Sequence, residues 1–154
     1  MRIAVAADHA AFDLKRVVLA DLAAAGHDTT DLGTHDPGLP DDYPDFAEAA
    51  ADAIRSGTAE RAIVLCGSGV GVSVAANKFP GIRAGVCHDT YSAHQGVEHD
   101  DMNVLCLGAR VVGVELAREI ALRFVDARYT GEERHARRLR KVLAIEARHL
   151  KGAP

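Results

Sequence analysis

The chain has no tryptophan, and only four Phe and three Tyr. A core built from it must rest on aliphatic side chains, and 48% of the residues are apolar, many of them Ala and Val. No apolar run approaches the ~20 residues that cross a bilayer, so no membrane partner is expected. The opening run Met-Arg-Ile-Ala-Val-Ala-Ala is broken at once by Asp8, so it reads as a strand and not a signal peptide. Cysteine is scarce. Cys66, Cys87 and Cys106 are odd in number and scattered, which excludes a disulfide framework and a paired-cysteine metal motif and suits a reducing cytoplasm. Positive charge is short in most of the chain: residues 1–131 hold 11 Lys/Arg against 19 Asp/Glu, a net of −8. Such a body does not suit nucleic acid. Residues 132–154 reverse the sign, 7 against 3, a net of +4. This basic end can bind an anion or dock on the acidic body.

What is present centres on residues 61–78. The apolar, β-favouring run Ala62 to Leu65 meets Cys66, then a loop with Gly67, Gly69 and Gly71, then an Ala/Val-rich stretch. This reads as strand, tight loop, helix. Alternate glycines permit positive φ and close approach of another group to the backbone. Loop amides at a helix start form an anion cradle, and the same field favours thiolate at Cys66. A cysteine ending a buried strand is often a small apolar filler, and a glycine cluster is often only a turn. Their combination favours chemistry. Three known loops fail here by single positions. Val72 stands where a dinucleotide-binding loop needs its third glycine, and no Lys precedes Lys78 for a nucleotide-triphosphate loop. Val72 also stands six positions after Cys66, where a low-molecular-weight tyrosine phosphatase needs Arg.

Along the chain, strands are expected at residues 2–7, 27–32, 62–66, 82–87 and 103–107. Helices are expected at 10–25, 45–56, after the glycine loop, after Asp89-Thr90, at 114–127 and at about 132–150. Gly26, Gly33, Gly57 and Gly108 punctuate them. The alternation, with strands read as continuously apolar, argues a three-layer α/β fold of the flavodoxin or Rossmann-like kind. It has a five-stranded parallel sheet, helices on both faces and a basic C-terminal helix, in one domain spanning residues 1–154. Ligands of such sheets bind beyond the carboxyl ends of the strands. There the sequence places Asp8-His9, Gly33-Thr34, Cys66 with its glycines, and His88-Asp89.

Two further groups stand apart. His94, His99, Asp100 and Asp101 precede the fifth strand, as a solvated helix end, a general acid or base, or a metal site whose spacing matches no common pattern. On the last helix, Arg134 and Arg138 are four apart and share a face. They form either a solvated basic surface or a two-arginine phosphate clamp.

Taken together, these segments resemble type B ribose-5-phosphate isomerase, whose family also includes galactose-6-phosphate and allose-6-phosphate isomerases. The resemblance rests on Ala-Asp-His-Ala at residues 7–10, Leu-Gly-Thr at 32–34, Asp-Tyr-Pro at 42–44, and Cys-Gly-Ser-Gly-Val-Gly at 66–71 with Ala-Ala-Asn-Lys at 75–78. Further on come Gly-Ile-Arg-Ala at 81–84, His-Asp-Thr-Tyr-Ser-Ala at 88–93, Glu-His-Asp-Asp-Met-Asn-Val-Leu at 98–105, Gly-Ala-Arg-Val-Val-Gly at 108–113 and Arg134-His135. It implies an aldose–ketose isomerase working through a cis-enediol(ate) with neither metal nor cofactor. On that resemblance Cys66 moves a proton between C1 and C2, and the backbone from Gly67 through Ser68, Gly69 and Val70 to Gly71 holds the enediolate oxygens. His99 helps to open the ring, with Asp8 and Ser68 nearby. His9, Arg134 and Arg138 bind phosphate, Arg110 lines the site, and Asp100 contacts substrate.

Two positions depart from the family pattern. Ser68 replaces a frequent Thr and keeps the hydroxyl. Asp100 replaces a frequent Asn; an ionised carboxylate cannot donate a hydrogen bond and repels a phosphate dianion, which bears on the identity of the sugar. The resemblance also implies a two-fold homodimer, or a dimer of dimers, with each site built from both chains and the final helix at the interface. A non-catalytic sugar-phosphate-binding module on the same fold is the contrasting expectation. Retention of Cys66 together with His99 separates the two, since binding alone needs no base.

Overall fold

A computed structural model describes residues 1–149. Five parallel strands form one sheet in the order β2-β1-β3-β5-β4, with β1 at Arg2–Ala7, β2 at Asp28–Asp31, β3 at Arg61–Cys66, β4 at Ala84–Val86 and β5 at Val104–Gly108. The helices are α1 (Phe12–Ala24), α2 (Tyr43–Arg55), α3 (Val70–Ala76), α4 (Thr90–Asp100), α5 (Val114–Asp126) and α6 (Glu133–His149). The expected α/β architecture is therefore the one found. The last helix is expected to reach about residue 150, and Leu150 lies outside the described residues.

The period of two along each strand sorts the side chains into two cores. Ile3, Val5, Ile63, Leu65, Leu105 and Leu107 face α1, α4 and α5, where Val18, Leu22, Val97, Ile120 and Phe124 are fully buried. Ala4, Ala6, Ala62, Val64, Cys66 and Cys106 face α2 and α3. That second core is rich in alanine, with Ala47, Ala50, Ala51 and Ala76 on the helix side, so the helices can lie close to the sheet.

Beyond their leading arginines, Arg2 and Arg61, only β1, β3 and β5 are both apolar and continuously buried, against the expectation for every strand. β2 reads Asp-Thr-Thr-Asp and is mostly exposed, because it is an edge strand with one neighbour and little cover. β4 is the other edge and keeps only three of its six expected residues. α2 begins two residues early, at Tyr43, because Pro44 in the first turn has no amide to leave unsatisfied. α1 starts late, since residues 9–11 form a 3-10 turn capped by Asp8, whose carboxylate accepts from the Ala10 amide at 3.0 Å.

Because all strands run one way, their carboxyl ends share one edge of the sheet. α4 starts at that edge and runs back along the sheet, so its end at Asp100 lies near the opposite edge, where β5 begins. Eleven residues of helix carry the chain about 16 Å. That displacement decides where the site residues fall.

Candidate active site in two halves

The first half lies at the carboxyl edge. β3 ends at Cys66, which is 5% exposed, and the Gly69 amide donates to its Sγ at 3.1 Å. Gly69 has φ of +79°, and a Cβ there would stand 3.0 Å from the Leu107 carbonyl carbon, so the turn requires glycine. A Cβ on Gly71 would meet the Tyr43 ring at 2.9 Å. Tyr43 therefore lies across the loop, although only its segment and not its side chain drew notice in the sequence. Ser68 Oγ accepts from the Val70 amide at 3.3 Å, which links the hydroxyl to the first turn of α3.

Asp8 and His9 follow β1 into the same edge. The Asp8 amide donates to the Leu65 carbonyl at 3.2 Å, which ties it to the end of β3. Burial raises the Asp8 carboxyl above its ordinary range, opposed by the Ala10 amide and the charge of His9. His9 is held by Asp41: its amide donates to Asp41 Oδ1 at 3.1 Å and its ring Nδ1 lies 2.5 Å from the same oxygen. That bond raises the His9 imidazole above its ordinary value. Arg110 completes this half. Its amide donates to the Gly67 carbonyl at 3.0 Å, and its side chain passes over Gly67. A thiol, loop amides, a carboxyl, an imidazole and a guanidinium thus share one edge.

His88 and Asp89 stand at the same edge but are occupied. The Gly108 amide donates to His88 Nε2 at 3.1 Å, and Asp89 caps α4 by accepting from the Ser92 amide at 2.7 Å. Thr34 is fixed as well, its carbonyl accepting from Lys15 Nζ at 2.6 Å.

The second half lies at the far edge, on α4 and α6. His99 stacks on His135 with ring centroids 3.9 Å apart and an interplanar angle of 22°. His99 Nδ1 lies 2.7 Å from the side-chain nitrogen of Gln95, one turn earlier. The His135 side chain is only 4% exposed, and burial, then the nearby His99, lowers its pKa. Arg134 and Arg138 flank His135 in sequence and are exposed. The segment that carries them is anchored where Thr130 donates its amide and its hydroxyl to the Glu98 carbonyl, each at 3.1 Å. Asp100 is exposed at the end of α4, while Asp101 pairs with Arg83 at 2.6 Å. His94 faces Glu98 at 3.6 Å. Among the described residues, no three His, Cys, Asp or Glu side chains gather as a metal site.

One chain therefore does not bring His99, Asp100, Arg134 and Arg138 to Cys66. A cavity of about 520 Å³ between α6 and the β4 edge, lined by Ile82, Met102, Leu139, Val142 and Ile145, is also remote from Cys66. The sequence missed Tyr43, Gln95 and Asp41 as neighbours of site residues. Gln95 had a usable signal, its spacing of four from His99 on one helix face.

The sequence profile of a family described as Ribose/Galactose Isomerase matches residues 3–142. Ribose-5-phosphate isomerase B of Escherichia coli is 44% identical over 147 residues, covering 96% of this chain and 97% of that protein. D-erythrulose-4-phosphate isomerase of Pectobacterium atrosepticum is also 44% identical, over 131 residues, 85% of this chain and 86% of its own. The solved ribose-5-phosphate isomerase B of Clostridium thermocellum superposes with a TM-score of 0.92 at 44% identity, covering 97% of this chain and 99% of that one.

Proposed function

The chain belongs to the ribose/galactose isomerase family, and we propose that it interconverts ribose 5-phosphate and ribulose 5-phosphate as a homodimer. The observation that carries this reading is Cys66. Its sulfur sits at the mouth of the glycine loop, 3.1 Å from the Gly69 amide, with the Arg110 side chain over the next residue, Gly67, and the Asp8 amide bonded to the carbonyl of the preceding residue, Leu65. A base beside preorganised donors is what moving a proton α to a carbonyl requires.

In the open-chain aldose the Cys66 thiolate takes the proton from C2. The electron pair of that bond moves toward C1, and the C1 oxygen gains negative charge. Amides from Gly67 to Gly71 stabilise the resulting cis-enediolate. A proton passes from the C2 hydroxyl to the C1 oxygen, and return of the carbon proton from Cys66 to C1 then gives the ketose and regenerates the thiolate. Asp8, raised by burial, is suited to exchanging a proton with a sugar hydroxyl. His99 assists ring opening, while His9, Arg110, Arg134 and Arg138 bind the phosphate end and Asp100 meets the sugar.

The separation of the halves supports the dimer. A two-fold axis lets each chain lend His99, Arg134 and Arg138 to its partner's Cys66 and receive the same in return. α6 leaves Val142 and Ile145 half exposed, and α3 leaves Val70 and Val74 so, which gives apolar surface for such a contact. The whole chain acts as one domain, with α6 at the interface, and the free cysteines suit a reducing cytoplasm. The far edge of one chain and the near edge of the other then enclose a single sugar phosphate.

A second substrate has a specific observation in its favour. The erythrulose-phosphate isomerase equals the ribose enzyme in identity, over a shorter span, and Asp100 alters the polarity at the substrate's edge. The test is a panel of aldose phosphates with four, five and six carbons, each assayed for ketose formation with and without a chelator. Highest kcat/KM on ribose 5-phosphate, unaffected by chelator, supports the proposal. Preference for the tetrose phosphate moves the assignment to that sugar. Binding without turnover of any member returns the protein to a non-catalytic module.

A further inference from the structure

His9 and Asp41 form a pair that the isomerase chemistry does not itself explain. Asp41 sits at the end of the long loop between β2 and α2. The start of that loop is pinned from below by Lys15, a fully buried lysine whose Nζ donates to Asp31 Oδ1 and to the Thr34 carbonyl, both at 2.6 Å. From there the chain runs over the carboxyl edge and places Asp41 Oδ1 on both nitrogens that His9 offers it, the backbone N–H at 3.1 Å and ring Nδ1 at 2.5 Å. The other carboxylate oxygen of Asp41 is buried without a hydrogen-bond partner among the described residues. Two bonds to one residue, from a carboxylate only 15% exposed, fix the ring's position and its tautomer together.

We propose that Asp41 is a positioning residue that holds His9 with Nδ1 toward itself and Nε2 toward the substrate's phosphate. This rests on the reading of His9 as a phosphate ligand. A carboxylate is acceptor only, so the ring nitrogen facing it must carry the proton. If the imidazole were neutral, Nε2 would then present a lone pair to the phosphate, which repels it. Only the imidazolium satisfies both partners at once, donating through Nδ1 to Asp41 and through Nε2 to the anion. The charge environment agrees. Asp41 and Asp8 both favour the imidazolium, Arg110 from the loop after β5 opposes it, and Asp13 of α1 lines the same cleft. Asp41 itself is pushed up by burial, but the bonds from the His9 ring and amide outweigh this and hold it below the usual carboxylate range. The pair thus carries anion binding to a pH at which an ordinary histidine would have lost its proton.

His9 is raised, so its charge and its hold on phosphate persist from low pH upward and are lost as pH climbs through the raised value. Replacing Asp41 by Asn keeps a side-chain oxygen that can accept from Nδ1 but removes the charge, so the loss comes at lower pH. The titration of His9 is read by NMR in free enzyme, its ring signal assigned by its disappearance in His9→Asn. In Asp41→Asn the midpoint should fall by about one pH unit, the order of shift one adjacent opposite charge confers. The KM for sugar phosphate should match wild type near pH 6 and exceed it about tenfold by pH 8, with a smaller effect on kcat. The phosphate's own ionisation is common to both proteins and cancels. Asp41→Glu restores the charge and should restore the profile, and thermal unfolding of each variant shows whether the fold is kept. An unchanged His9 midpoint in a folded Asp41→Asn protein overturns the pairing. A midpoint that falls while KM does not move, with His9→Asn also at wild-type KM, leaves the pair intact but removes His9 from phosphate binding, and Asp41's role in substrate binding with it.

Discussion

The two edges of the sheet carry opposite kinds of chemistry. At the carboxyl edge, Cys66, Asp8, His9 and Arg110 are placed by strand ends and by loops bonded to the neighbouring strand. At the far edge, His99, Arg134 and Arg138 are placed by helix ends and by a ring stack, His99 on His135. The first edge offers a thiol and backbone donors for an oxyanion; the second offers an imidazole and two exposed guanidinium groups. On the proposed function, neither set makes an isomerase alone. On that reading, the difference teaches that catalytic groups need not be neighbours in the fold of one chain, and that a half-site can be recognised by what it lacks: the carboxyl edge lacks the paired arginines for a dianion, and the far edge lacks a thiol and a glycine-loop oxyanion cradle.

The comparison can be broken first at the carboxyl edge. Cys66→Ala should lower kcat by about 10²- to 10⁴-fold, the range of a lost general base, with sugar-phosphate binding nearly kept. Activity within about tenfold of wild type would remove Cys66 from that role. At the far edge, Arg134→Ala and Arg138→Ala should each raise KM by about ten- to a hundredfold, the effect of losing a charge-assisted hydrogen bond worth ~1.5–3 kcal/mol. Unchanged KM in both would return the helix to a solvated basic face. Iodoacetamide should inactivate through Cys66 and be slowed by substrate, whereas Cys87, pushed up to about 11 by burial, and Cys106, raised further by burial, should alkylate slowly near neutral pH. Peptide mapping of the labelled protein reads all three.

The smallest effect concerns His135. Its folded-state pKa is lowered by burial, so the unfolded chain binds the proton more readily than the native one. Its contribution to stability is full above the ordinary imidazole value of 6.5 and is lost as pH falls toward the lowered folded value. His135→Phe, which keeps a ring against His99, should flatten the fall of the thermal midpoint between about pH 7 and 5. An unaltered slope would show that His135 does not titrate across that window.

The carboxyl edge was legible because its signals are local. An apolar run, a cysteine and three glycines at alternate positions specify strand, turn and helix wherever they occur, and the turn indeed has Gly69 at φ +79°. The three central strands were legible for the same reason. What was not legible depends on partners distant in sequence. A strand was expected at 27–32 and β2 stands at Asp28–Asp31, but its place as an exposed Asp-Thr-Thr-Asp edge beside β1 comes from register and not from its own pattern. Lys15 looks like a surface residue of an amphipathic helix until Asp31 and the Thr34 carbonyl arrive to receive its charge. His88 and Asp89 looked like site residues at a strand end, but the Gly108 amide and the start of α4 use both. A helix that turns back along the sheet put His99 far from Cys66, and nothing in a linear spacing of thirty-three residues reveals that.

The central claim is that each site draws Cys66 from one chain and His99 from the other. Cys66→Ala and His99→Asn homodimers should each be nearly inactive. Unfolding and refolding an equal mixture makes hybrids, in which one site carries both lesions and the other carries neither. With random pairing half the dimers are hybrids and half their sites are intact, so about a quarter of wild-type turnover should return. Hybrids present by native mass spectrometry with no recovered turnover would place both residues in the same chain's site and contradict the account.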